Sequence, residues 1–393
     1  MPERPGGLLA LPSGLLALPA PGDRTVAALD RKLALLSLRA LLTAPLSGFS
    51  TEVRRAILHL RPLLSALLRD AGPALVQATL SPEVLTPLLV WQAGAASPEA
   101  LLRAAMPALL LGLAQLGAAR EGLLWDLPIP QILVGDRLLS GPFDGLYVIH
   151  DRAELRVDGR FVRPGELPGP TALHALSPTL SLALTDPNPL AMVEDHPDKA
   201  GNALDLGGRE PGVWVEALRE ALALVRLALP EWHAELSVSL RRLVPVGYEP
   251  ERHLSASYRE APSQAYLTLH PDPLTLAEAI VHETQHGKLN RLLWFDAVLE
   301  NGHSTWTSSP VRPDMRPLMG VLLAAHAFVP VAAMHARLAG HDLAAAARFA
   351  ERRAEVREQN ARALATLWEK GQLTPTGRGV MDALQALHAA SAP

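Results

Sequence analysis

The 393-residue chain contains no cysteine, which removes disulfides, thiolate zinc sites, iron–sulfur clusters and cysteine nucleophiles together. Lysine is nearly absent as well: four of the 36 basic residues are Lys32, Lys199, Lys288 and Lys370, and the rest are arginine. No block of basic residues occurs and the formal net charge is −4, so electrostatic binding of nucleic acid or of an anionic membrane surface is not expected. Two apolar stretches that would stand out in a hydropathy profile are broken. Ala104–Ala119 is short and holds Pro107, and Pro317–Ala336 contains His326, Pro330 and His335. Both read as buried helices rather than membrane spans. The N-terminus carries Glu3 beside Arg4 and is interrupted by prolines, which makes a poor signal peptide. Its GLLALP hexamer occurs twice, as a local duplication in a loose arm. These features fit a cytoplasmic protein.

Hydrophobic residues make up 49% and charged residues 19%, enough for large cores. Residues 1–22 read as a flexible arm and 23–120 as a helical region, with Ser50 or Thr51 and Ser97 as helix starts. From Trp125 the pattern changes to short β-rich runs separated by Gly-Asp, Gly-Pro and Asp-Gly, as in hairpins. Further on, VWVEALREALALVRLAL reads as an amphipathic helix, and ELSVSLRRLVPVGY and SQAYLTLH read as strands. A helix over about 274–295 follows, then an apolar helix around His326 and a long charged helix. The expected class is α+β: a helical N-terminal third, central short strands and hairpins, and a catalytic region over 121–393.

One pentapeptide carries the chemistry. His282-Glu283-Thr284-Gln285-His286 is an H-E-x-x-H motif. On a helix the two histidines, four residues apart, leave one face and can grip a single metal ion. Glu283 lies beside the first ligand, where its carboxylate can serve as a general base or orient the site. A catalytic ion with open positions needs a third protein ligand, and Asp296, Glu300, His303 and His326 all follow the motif. Glu300 is about 14 residues beyond His286, roughly 21 Å along a continuous helix, and so too far. An imidazole in the middle of an apolar helix crossing the motif helix is better placed. His326 is the expected third ligand, with the metal site between C-terminal helices.

The series HETQHGKLN, SSPVRPDMRPLMGVLLAAHAF and VPVA resembles the HExxH-motif peptide β-hydroxylases of ribosomally made peptides, which depend on iron and α-ketoglutarate. LTDPNPLAMVEDHPDKAGNALDLG and VPVGYEPERHLSASYREAPSQAYLTLHPDPLTLAEA are similar too, so the likeness covers about Leu124 to Leu338. It implies Fe(II) held by His282 and His286 with His326, Glu283 as the motif glutamate, and Lys288 as the lysine that follows the motif. It also implies Arg312 and Arg316 as the arginine pair, suited to the carboxylates of α-ketoglutarate because guanidinium meets carboxylate bidentately. The implied reaction consumes O₂ and hydroxylates a side-chain Cβ of a precursor peptide. Other peptide-maturation proteins are the expected further partners. Two rival readings remain: a zinc metallopeptidase with Glu283 as general base, and a non-catalytic peptide-binding protein of a maturation cluster.

Overall fold

The computed structural model describes residues 16–193, 195–196, 199–308, 314–341 and 347–391. It is an α+β protein whose chain divides into two compact units. One holds Asp30–Ala175 and Ser181–Asp205; the other holds Leu206–Pro393 with Leu176–Leu180 and the chain up to Leu29. A boundary near residue 120 is therefore not where the chain divides.

The first of these units begins within α1 (Thr25–Thr43), followed by α2 (Thr51–Asp70), α3 (Gly72–Thr79), α4 (Pro82–Ala93) and α5 (Pro98–Gln115). Ser50 caps α2 by accepting from the Val53 amide, and Pro at the first turn opens α4 and α5. Two antiparallel sheets come next. Strands β1 (Ala119–Trp125), β4 (Gly145–His150), β5 (Arg152–Val157) and β6 (Arg160–Val162) pair in that order, while β2 (Ile129–Val134) pairs with β3 (Arg137–Phe143). Their hairpins turn over two residues, with positive φ at Gly135, at His150 and at Asp158–Gly159. That is the backbone which matches strand twist across so short a loop. Strands β7 (Leu173–Ala175) and β8 (Ser181–Ala183) pair with each other, as do β9 (Asp195–His196) and β10 (Lys199–Ala200). Leu60, Leu102, Leu109, Trp125, Leu139 and Val148 lie in one buried cluster. This shared core is why the helices before residue 120 and the hairpins after it form one unit rather than two.

The other unit contains α6 (Pro211–Ala228), α7 (Pro230–Ser239), β11 (Arg242–Tyr248), β12 (Ser255–Ala256), β13 (Gln264–Leu269) and α8 (Pro273–Leu293). After β14 (Trp306–Ser308) and β15 (Met315–Pro317) come α9 (Leu318–Leu338), α10 (Ala347–Lys370) and α11 (Pro375–Ala390). The run ELSVSLRR is helical up to Ser239 and extends only from Arg242, not the continuous strand its alternation implies. Trp232 and Leu236, four apart, are both buried, so the helical period decides the burial. β13 runs parallel to β11 and antiparallel to β12, and all six of its residues are buried. α8 packs on β13, α6 and α9, so it is covered on several sides and its polar residues must find partners. Among the described residues, α9 is the one single helix long and apolar enough to cross a membrane. The α3–α4 pair, bent by 80°, meets the same test jointly. In α9, 78% of the apolar window is buried.

Candidate metal centre

α8 starts where Asp272 accepts a hydrogen bond from the Leu274 amide, with Pro273 in the first turn. From there the helical period brings His282 and His286 onto one face. Their Nε2 atoms lie 2.8 Å apart and their ring centroids 4.4 Å apart. The ligand atoms of His282, Glu283 and His286 all fall within 4.8 Å of one another. Metal–nitrogen bonds of about 2.05 Å meeting at a right angle would put two nitrogens about 2.9 Å apart. The imidazole pair therefore fits two adjacent ligands of one ion. Burial holds the pKa of His286 below the usual imidazole value, opposed by the Glu283 carboxylate, and the neutral ring is the form that ligates.

Glu283 is itself buried, and Ser255 on β12 donates a 2.6 Å hydrogen bond to its Oε1. Its Oε2 has no hydrogen-bond partner among the described residues. One carboxylate oxygen is thus fixed to the sheet while the other is left for the site. Phe328 on α9 meets the His282 ring at 4.5 Å between centroids, an apolar wall that limits rotation of the imidazole.

His326 is wholly buried on α9 and stands outside the three-residue group. Gln285, inside the motif, donates to its backbone carbonyl at 3.3 Å. Among the described residues neither ring nitrogen of His326 has a partner at full hydrogen-bond geometry. Burial lowers its pKa to about 3, helped by the Lys288 ammonium and by the repulsion that protonating both His326 and His286 would create, and opposed by a polar contact with the Gln285 backbone. It is a neutral imidazole packed next to the motif helix.

The other expected residues are placed as follows. Asp296 caps a turn, accepting from the Val298 amide and the Thr374 hydroxyl. Glu300 and His303 are exposed in the turns after α8. Arg316 lies in β15, partly exposed and paired with Asp314 at 2.9 Å. Arg312 is outside the described residues. Lys288 is buried and bound to Glu235 on α7 at 2.7 Å. Burial pushes its pKa down, while Glu235 and Asp23 push it back up.

Several supports have no signature in the sequence. Gln285 donates to the carbonyls of Leu16 and Ala17, and accepts from Trp232 Nε1 at 2.9 Å. Arg291, buried one turn past the motif, donates to the carbonyls of Pro262, Gly287 and Ser239. Gly287 lets the Pro262 carbonyl approach α8: a Cβ there would stand 2.5 Å from that oxygen. The one available signal was the run of polar residues around the motif, too polar for a helix so fully packed unless each is hydrogen-bonded. One turn before His282, Glu278 accepts from His335 at 2.7 Å and from Arg352 at 3.1 Å.

No protein-family model matches the chain, and comparison with curated proteins finds no significant match.

Proposed function

We propose that the chain is an Fe(II)- and α-ketoglutarate-dependent oxygenase that hydroxylates a side-chain Cβ of a ribosomally made precursor peptide. The observation that carries the metal part is the convergence of His282, Glu283 and His286 within 4.8 Å, with Nε2 atoms at the spacing of adjacent ligands. The reaction class comes from the sequence resemblance over Leu124 to Leu338. Iron, α-ketoglutarate and O₂ together would replace a C–H bond by C–OH, releasing succinate and CO₂.

In this reading His282 and His286 would hold the ion, and His326 on the neighbouring helix is assigned as the third ligand. Three protein ligands would leave positions open for the oxo-acid and O₂. Ser255 keeps Glu283 oriented toward the pair. Phe328 and the packed faces of α8 and α9 exclude water from one side. Arg312 and Arg316 are assigned to the α-ketoglutarate carboxylates, Arg316 exchanging Asp314 for the co-substrate. A cytoplasmic location goes with this reading, since the co-substrate is a cytoplasmic metabolite.

The test is direct. Protein reconstituted without oxygen with Fe(II), α-ketoglutarate and its genomically neighbouring precursor peptide should, on admission of O₂, yield succinate and a peptide heavier by one oxygen atom. Peptide cleavage with zinc bound and no succinate would replace this reading with the metallopeptidase. Binding of the precursor peptide with neither product would favour the non-catalytic reading.

A further inference from the structure

β12 ends its sheet, so among the described residues one side of it faces no strand. Which of its backbone groups point outward follows from the register. The Thr268 amide donates to the Leu254 carbonyl at 2.9 Å, and Ser255 and Ala256 stand opposite Leu267 and Tyr266. Antiparallel pairs alternate between hydrogen-bonded and non-hydrogen-bonded. Leu254–Thr268 is of the first kind, so Ser255–Leu267 is of the second. The N–H and C=O of Ser255 therefore turn away from β13 toward the open edge, and they have no partner among the described residues.

The side chain of that same residue donates to Glu283 of the metal centre at 2.6 Å. The outward-facing backbone of the edge and the motif glutamate are thus joined through one residue. Ser255 is half-buried rather than sealed, as a usable edge requires.

We propose that β12 is the docking edge for the peptide substrate, which adds to it as an extended strand hydrogen-bonded to Ser255. This rests on the reading of the substrate as a peptide. An unpaired strand edge is complementary to another extended backbone whatever its side chains. In an antiparallel addition the substrate residue opposite Ser255 puts its side chain on the same sheet face as the Ser255 hydroxyl. Its Cβ is then directed to the side where Glu283, His282 and His286 lie, and its two neighbours point to the other face. The edge thereby selects which substrate carbon meets the metal centre, by register rather than by a side-chain pocket. The substrate must lack proline at the position that donates to Ser255, because proline has no N–H to give.

The probe is a twelve-residue peptide selected for binding to the full chain from a random synthetic library, then remade with one amide N-methylated at a time. Only alternate residues of an added strand direct their N–H to β12, so binding should weaken about tenfold or more at one or two alternate positions and stay within about twofold at those between. With ¹⁵N-serine labelling, the Ser255 amide should exchange with solvent at least about tenfold more slowly once the peptide is bound. Selection of no peptide, uniform tolerance of N-methylation, or unchanged exchange at Ser255 would overturn the edge. The two readings also part in the same experiment. A peptide that shows the alternation but is cleaved keeps the edge and removes the hydroxylase. Succinate formation with a peptide indifferent to N-methylation keeps the hydroxylase and removes the edge.

Discussion

Gln285 donates a hydrogen bond to the backbone carbonyl of His326 over 3.3 Å, tying a variable position of the metal motif to the helix that bears the third candidate imidazole. Its amide oxygen takes the Trp232 indole N–H, and its nitrogen also serves Leu16 and Ala17, so one buried side chain sets four groups of the site's surroundings. Replacing Gln285 by Leu keeps the volume and leaves those groups unpaired. We expect a loss of about 1–3 kcal/mol in urea unfolding, since unsatisfied buried polar groups carry the full desolvation cost. Co(II) affinity, followed by visible absorption, should fall with it, because α9 loses its register on α8. Unchanged Co(II) affinity would mean that Gln285 serves the fold alone.

His282→Ala and His286→Ala should each abolish stoichiometric metal binding, measured by elemental analysis after dialysis. A ligand that binds only the folded protein raises its stability in proportion to RT ln(1 + [L]/Kd), so metal should raise Tm in the wild type and not in these variants. His326→Ala should weaken metal binding if the imidazole joins the ion. Full retention of affinity would leave His282, Glu283 and His286 as the whole set.

Gly287→Ala is expected to be costly although it follows a helix-forming rule. A Cβ at 2.5 Å from the Pro262 carbonyl forces the segment before β13 off α8. Overpacking of this kind costs about 1–3 kcal/mol, whereas Ala is otherwise the better helix residue by about 1 kcal/mol. A stabilised variant in thermal melts would show that the segment moves freely.

Glu235→Ala should be worse than the double replacement Glu235→Leu with Lys288→Met. Lys288 and Glu235 are both buried and 2.7 Å apart. Removing one partner leaves an uncompensated charge, at about 3–5 kcal/mol, while replacing both by apolar groups is often neutral or better. Urea midpoints of the three proteins decide it. Equal losses in the single and double variants would show that the pair does not act as a unit.

Glu278 gives the acid limb of stability. Burial pushes its pKa up, but the hydrogen bond from His335 and the charge of Arg352 outweigh this, and the net shift is downward. A carboxyl with a depressed folded pKa contributes stability above its unfolded value and loses it as pH falls through the folded value. Stability should therefore drop below about pH 4.5, the ordinary carboxyl range. Glu278→Gln should be less stable at pH 7 and show a shallower loss below 4.5, read from urea midpoints across that range. Parallel pH curves for the two proteins would rule this group out.

The α+β class, the span of the motif helix and the shared face of His282 and His286 were legible in the chain, because each depends on local period. Four residues make about one helical turn wherever the helix lies, and Asp272, the N-cap of α8, is a residue type that favours helix starts through its own side chain. Hairpin turns at Gly135-Asp136 and Asp158-Gly159 were legible for the same reason: a positive φ at Gly135, and at both Asp158 and Gly159, is a local demand. The second unit boundary was not, since it depends on which buried leucines of helices and hairpins share a core. Nor was α7, where alternation in ELSVSL imitates a strand until Trp232 and Leu236 find their burial. The partners of the site were decided only in three dimensions. Ser255 is 28 residues from Glu283, and Trp232 is 53 and Leu16 269 from Gln285. The sequence determined which side chains could bind a metal, through spacing within one turn. The tertiary structure alone decided which carboxylate oxygen is held, which imidazole is buried and kept neutral, and which strand edge opens beside them, because burial and hydrogen-bond satisfaction belong to the packed assembly of distant segments.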